Sequence, residues 1–420
     1  MAANIIDLSA IRGPDERLGV AALTRAAYAG ADLGPVAVAL RNALATNPAN
    51  APAMMDLSVI EQLQGNLQDG LTLQAIAIHH QQAFRTASTG TKTLMLLALA
   101  APIDMGANTP VDFLVETSSV DLQTLYIAPG IPLPDPLPEH DLAFVVAPGD
   151  SDASRHFLNE IERHIATWPR PVLNAPANIM TLERDRSGEV LADVPGLKLP
   201  KTTRCDRATL TAIGRGGVSI HEVMPEARFP IVVRPVGAHA GRNLEKLDSV
   251  SEIDAYLDGC DDPDFFLSDF IDYRSADGAY RKYRIVVIDG RAYPCHMAIA
   301  DQWKVWYMNA DMAVSDEKRA EEERFMTRFA ADFGARHGAA LAGMAAGFGL
   351  DYFGIDCAED RDGNLVLFEA DNALIVHDMD SPQTFPYKPP QMRKIFSGFT
   401  DMLLRRAAGQ YGDKRAQLVG

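Results

Sequence analysis

The sequence predicts an α/β (α+β) fold with an N-terminal helical extension, and three observations carry that prediction. Residues 20–85 are rich in Ala, Leu and Gln, with apolar positions at helical spacing. From Lys92 onward, short apolar runs bounded by Gly, Pro and Asp alternate with helical patterns. Two Asp-Gly dipeptides, Asp289-Gly290 and Asp362-Gly363, each separate two strand-like runs as a hairpin turn would.

Taken in order, the preface has helices over 36–44, 54–67 and 71–84, broken at Asn47-Pro48-Ala49-Asn50 and Asp69-Gly70. Its Asn-Pro break followed by a helical hairpin is faintly like a tetratricopeptide unit, but no 34-residue self-similarity accompanies it. Such a module serves packing, homodimerisation or substrate recruitment. Because the motifs below all lie beyond Lys92, removing residues 1–88 is expected to leave them intact. Runs at 94–100, 112–115, 125–128 and 142–147, a helix over 154–167 and Pro171-Val172-Leu173-Asn174 predict a small α/β domain with partly parallel pairing. Strands are expected at 229–236 and 265–272, hairpins at 281–288/291–299 and 351–358/364–371, and helices at 316–338 (reaching toward 347) and 390–409.

With 420 residues the chain has room for two or three domains at roughly 150 residues each. The net charge of −17 opposes nucleic acid and anionic membranes as partners. The four cysteines, Cys205, Cys260, Cys295 and Cys357, show no CxxC or zinc spacing and read as core or neutral surface residues. No basic-then-apolar leader opens the sequence, and no apolar run reaches the roughly 18 residues that span a bilayer. A cytoplasmic protein of a reducing compartment is expected. GxSxG and HExxH are both absent, so neither a serine elbow nor a zinc-protease helix is supported.

The second hairpin is the most informative stretch. A two-residue Asp362-Gly363 turn sets Asp356 opposite Glu369, and alternation adds Asp371 to the same face. Three like charges need a positive offset. A hard divalent cation on oxygen ligands is the simplest, Mg2+ if phosphates are present; a solvated charged face is the bland alternative. Upstream, a strand carrying Arg234 runs into a loop with Gly237, His239 and Gly241, where backbone N–H groups and a guanidinium can meet phosphate oxygens. The spacing is not that of a Walker A motif. Gly214-Arg215-Gly216-Gly217 has no strand before it and reads as a decoy. Ser268-Asp269-Phe270-Ile271 ends another strand, and Lys282 and Arg284 share one face of the next, placed for phosphates or a substrate carboxylate.

In their order and spacing these features resemble the ATP-grasp superfamily, and within it the RimK-like carboxylate–amine ligases, over about residues 92–400. The pieces are Asn174-Ala175-Pro176 followed by Arg184 or Arg186, Val233-Arg234-Pro235 with its glycine loop, the hinge strand 267–271, Tyr283-Arg284-Ile285-Val286-Val287, Gly354-Ile355-Asp356 and Phe368-Glu369-Ala370-Asp371. The resemblance implies an ATP-grasp fold that grips ATP between two antiparallel sheets. It divides the chain into a helical module (1–90), a small α/β domain (91–200), a lid (201–275) and a C-terminal catalytic part (276–420). It also implies Mg2+ on Asp356, Glu369 and Asp371. ATP would be contacted by Arg184, Arg234, Gly237, His239, Gly241 and Lys282, and by Ser268, Asp269, Phe270 and Ile271 at the adenine, with Arg234 and Arg284 as catalytic cations. The implied reaction phosphorylates a small-molecule or peptide carboxylate, which an amine then attacks. The family's usual lysines stand here as Arg184 and Arg234, and its Glu-x-Asn as Glu369-Ala370-Asp371 with Asn372 one residue late. The stretch 301–312, with Trp303, Trp306 and Tyr307, does not match the family's substrate loop. A small-molecule kinase on the same fold and a non-catalytic nucleotide-binding scaffold are the rival readings.

Overall fold

Three sheets organise the chain in the computed structural model, which describes residues 13, 15–87, 91–149, 152–238 and 241–409. The first sheet has six strands in the order Glu16–Arg17, Ala83–Thr86, Val120–Tyr126, Leu94–Ala100, Leu142–Val145 and Val172–Leu173. Leu94–Ala100 lies parallel to both neighbours. It is apolar along almost its whole length, as a strand covered on both faces must be. The run at 112–115, expected as a strand, is instead the short helix Val111–Val115, whose Val111, Leu114 and Val115 all turn into the core. A short apolar run bounded by turn signals does not distinguish strand from helix.

The preface folds as helices Val20–Tyr28, Gly34–Thr46, Ala51–Leu63 and Leu67–His80. Met54, Met55, Ala77 and Ile78 belong to the same apolar core as the first sheet. Ala83–Thr86 pairs antiparallel with Val120–Tyr126, and Glu16–Arg17 pairs parallel with it on the other side. Residues 1–88, where described, are thus part of the first sheet and its core, not a unit folded apart from it. Their loss would take two strands from a six-stranded sheet and uncover its core.

The second sheet is antiparallel, ordered Glu245–Leu247, Ile231–Pro235, Asp264–Asp269 and Thr202–Asp206. It has its own small core around Ile231, Val233, Phe265, Leu267, Leu210 and Ile253. Two of its strands, Thr202–Asp206 and Glu245–Leu247, are too polar to stand out in the sequence. The glycine decoy is the C-terminal end of helix Arg207–Gly214, with Gly216 in the left-handed conformation that ends it.

The third sheet runs Arg291–Ala300, Tyr280–Ile288, Tyr352–Glu359, Leu365–Asp371 and Leu197–Lys198. Its two Asp-Gly hairpins differ. Asp289 and Gly290 both have positive φ (50° and 80°), and Ile288 pairs with Arg291, a two-residue turn of the primed kind. At the second, only Gly363 has positive φ. Asp360 accepts from Asp362 N (3.0 Å) and Asn364 N (2.9 Å), which winds a three-residue loop over 361–363. The shorter pairing is then made good by a bulge beside Asp356, so that Asp356 faces Glu369 and Gly354 faces Asp371. The expected long helix is two, Asp316–Thr327 and Phe333–Phe348, and Lys388–Ala407 closes the described chain. No described helix is long and apolar enough to cross a membrane.

One side chain ties the first sheet to the third. Asn174, fully buried with φ 53°, accepts from Asp351 N and Tyr352 N (both 2.9 Å) and donates to Tyr352 O (2.8 Å). Asn174→Ala leaves those buried backbone groups unpaired and puts an alanine at positive φ. It is expected to destabilise the chain by about 2–3 kcal/mol, seen as a lower thermal midpoint with the far-ultraviolet spectrum unchanged before melting.

Candidate active site

The second and third sheets face each other across a cleft of about 810 Å3. Arg234 and Gly237 come from one side, and Lys282, Arg284, Asp356, Glu369 and Asp371 from the other. Ser268, Asp269, Phe270 and Ile271 run along one end. Arg184 enters from the loop after the short helix Met180–Leu182. Arg186, the alternative, points elsewhere and lies 3.8 Å from Glu183.

Directly opposed residues on neighbouring antiparallel strands share a face. His296 opposes Arg284, Arg284 opposes Asp356, and Asp356 opposes Glu369, so one polar row crosses four strands. Its charges are offset by the chain itself. Arg284 donates from Nε to Asp356 Oδ1 (2.7 Å) and from Nη2 to Oδ2 (3.0 Å), and Lys282 Nζ adds a bond to Oδ2 at 3.1 Å. Arg184 pairs with Glu369 and also donates to Phe368 O. For Asp356 and Glu369 the positive offset is thus built from Arg284, Lys282 and Arg184. Among the described residues, no three His, Cys, Asp or Glu side chains converge to hold a metal ion unaided.

The electrostatics follow from these pairs. Burial alone would raise the Asp356 carboxyl, which is only 3% exposed; Arg284 and then Lys282 hold it well below the usual carboxylate range. Burial also opposes the Arg284 charge, and Asp356 more than restores it. At Glu369 burial pushes up, while Arg184 and then Arg234 pull the carboxyl below its ordinary value. His296, desolvated and facing Arg284, is pushed well below its ordinary value and stays neutral; its Nδ1 is buried with no hydrogen-bond partner among the described residues.

Asn372 turns away from the cleft. It is fully buried and donates to Ala147 O (3.0 Å) and Thr109 Oγ1 (3.2 Å) in the first sheet's domain. Asp371, whose Oδ1 accepts from Ala373 N (2.9 Å), is the one that lines the cleft. Arg234 donates to Ala238 O, holding the start of its own loop, and Gly237 and Gly241 both have positive φ (69° and 72°). His239 lies outside the described residues. The strand Asp264–Asp269 is central in its sheet. Ser268 is paired on both sides and Asp269 N donates to Lys201 O (3.0 Å), so the chain leaves the sheet at Phe270 and Ile271.

Three contributors were assigned no role from sequence. Lys304 lines the cleft and donates to Leu244 O (2.7 Å), fastening the 301–312 stretch to the glycine loop's far end. Trp303 packs edge-on to Phe270 at 5.7 Å. The carbonyl of Ile375 accepts from Arg284 Nη1 at 3.2 Å. A lone lysine and a carbonyl carry no spacing signal. The tryptophan was visible only as a departure from a pattern. All four cysteines are buried and unpaired, as expected of core residues.

No family model matches the sequence, and no curated protein matches it. Solved structures similar to the chain include the VanG D-Ala:D-Ser ligase of Enterococcus faecalis (14% identity, 76% of this chain and 100% of that one, TM-score 0.43). A D-alanine–D-alanine ligase of Bacillus anthracis complexed with ATP shares 12% over 76% of this chain and 99% of its own (TM-score 0.45). A RimK-domain ATP-grasp protein of Sphaerobacter thermophilus shares 17% over 74% of this chain and 99% of its own (TM-score 0.41). With so little sequence in common, what the cleft does has to be read from its own geometry.

Proposed function

We propose that the chain is an ATP- and Mg2+-dependent carboxylate–amine ligase of the ATP-grasp kind, working in the cleft between its second and third sheets. The observation that carries the reading is the polar row His296–Arg284–Asp356–Glu369, which faces an arginine and a glycine loop across a nucleotide-sized space. The lid (201–275) and the C-terminal part (276–420) would be its two jaws.

In this reading Arg184, Arg234 and Lys282 hold phosphate oxygens, and the glycine loop approaches them with backbone N–H groups. The donor set suits Mg2+ in kind. This ion is held by one or two carboxylates plus substrate phosphates rather than by an all-protein cage, and Glu369 and Asp371 both line the cleft. Bound there, it would neutralise phosphate charge. Asp356, with both oxygens engaged, is better placed to hold Arg284 and Lys282 than to hold a metal. The substrate carboxylate attacks the γ-phosphorus, the bond to the β-phosphate oxygen breaks, and ADP leaves. The amine nitrogen then attacks the acyl carbon, loses a proton, and phosphate departs. Arg284, permanently charged and rigidly held, stabilises the oxyanion at that carbon. No side chain needs to form a covalent bond.

Mixing the full chain with Mg2+, ATP, a candidate carboxylate and a candidate amine tests the reading. ADP release that needs both supports the ligase. ADP with a stable phosphorylated product and no need for an amine indicates the kinase, and nucleotide binding without turnover the scaffold. ATP is also expected to bind more tightly than GTP, since backbone groups at Phe270 and Ile271 suit the adenine edge. Equal calorimetric affinities would remove the hinge assignment.

A further inference from the structure

Large apolar side chains left in water are unfavourable, and a contiguous group of them beside a cleft marks something that covers them. Trp306 is 47% exposed and Ile375 is 54% exposed, and both line the cleft. Each also has a link to Arg284. Arg284 donates to the carbonyl of Ile375. On the other side, His296, which opposes Arg284, packs at 4.8 Å against Tyr307, the residue after Trp306. The apolar pair is thereby linked to Arg284, through the Ile375 carbonyl on one side and the His296–Tyr307 contact on the other.

The Ile375 side of this mouth is held in place. Leu374 packs on Gly354, where an added Cβ would come within 2.9 Å of it. Three residues beyond Ile375, Asp378 accepts from Arg25 of the first helix (2.5 Å), and Arg25 also reaches Glu116 (2.7 Å). Tyr28 of that helix sits against His377 at 6.2 Å. Lys304, the cation next to the pair, is already bonded to Leu244 O and to Glu245 (3.2 Å). An apolar mouth, fixed on its Ile375 side and with its neighbouring cation engaged, suits an apolar group better than an acidic one.

We infer that the substrate seated against Arg284 is an amino acid or short peptide with an aromatic or branched aliphatic side chain, received between Trp306 and Ile375. The inference rests on the ligase reading and adds the substrate class to it.

The test is calorimetry on the full chain loaded with Mg2+ and the non-hydrolysable analogue AMPPNP, titrated with L-phenylalanine, L-leucine, L-alanine, L-glutamate and L-lysine. Each probe carries both a carboxylate and an amine. Phenylalanine and leucine are expected to bind about tenfold or more tighter than alanine and glutamate, the usual scale for apolar groups in a fitted pocket. Trp306→Ala and Ile375→Ser are each expected to erase most of that margin and to keep AMPPNP affinity within about twofold. The inference is overturned if glutamate or lysine binds as tightly as phenylalanine. It is also overturned if both variants keep the margin, or if none of the five binds the loaded protein. Failure to bind AMPPNP at all would instead remove the ligase reading beneath it.

Discussion

Arg284→Met is expected to lower turnover by about 10³-fold or more, the scale on which a transition-state arginine acts, and to destabilise the chain by about 3–5 kcal/mol, the scale for a buried charge left without its partner. The structural reason is the bidentate bond to Asp356, whose carboxylate would keep only Lys282. The two effects can be separated. In Arg284→Met/Asp356→Leu the stranded carboxylate is gone, and replacing both members of a buried pair by apolar groups is often near neutral. The double variant should recover most of the thermal midpoint and none of the turnover. Recovery of both would make Arg284 a structural residue only. A double variant that melts as low as the single one would show that the pair is not the source of the instability.

The second large effect belongs to Glu369. Opposed like charges alone would make Glu369→Gln neutral or stabilising in the protein without nucleotide. The structure reverses that sign, because Glu369 is held by Arg184 and faces Arg234 more effectively than it is repelled by Asp356. Glu369→Gln should therefore lower the thermal midpoint modestly and reduce Mg2+-dependent turnover by about 10²–10³-fold. The pH dependence follows in sign. A carboxyl whose folded pKa lies below its unfolded value, about 4.3, adds stability that is present above that value and is lost as pH falls through the folded one. The stability difference between wild type and Glu369→Gln should thus be constant at neutral pH and shrink below about pH 4. A difference that grew in acid would contradict the pairing with Arg184.

How much of this was legible in the sequence is best seen at the two hairpins. Asp289-Gly290 behaves as the dipeptide suggests, because both residues reach positive φ. At Asp362-Gly363 the Asp360 side chain captures two backbone N–H groups and draws the turn into a longer loop, an effect of one carboxylate that periodicity does not register. Asp356 still meets Glu369 only because the bulge shifts the register back. The facing of those acids was therefore reached through a turn type that is not the one present. The charges around them were legible singly, as Lys282, Arg284, Arg184 and Arg234, but their pairing was not, since Arg184 is 185 residues from Glu369 and Arg284 sits 72 from Asp356. The same holds for Asn372. Alternation favoured Asp371 at the cleft, and the buried bonds of Asn372 to Thr109 and Ala147 are contacts across the fold that no local pattern carries. The preface misled for a related reason. Its helical spacing reads as a separate unit, and the pairing of Ala83–Thr86 with Val120–Tyr126 and the shared core, both contacts across the fold, show that the first sheet is built on it.

A crystal structure of the full chain with Mg2+ and AMPPNP tests the central claim most directly. The nucleotide is expected between the second and third sheets, its adenine edge at Phe270–Ile271 and its phosphates against Arg184, Arg234 and Lys282. The metal is expected at about 2.0–2.1 Å from oxygens of Glu369 and Asp371, with Asp356 still bonded to Arg284. A nucleotide bound outside this cleft, or a metal held by Asp356 after Arg284 has let go of it, would contradict that claim.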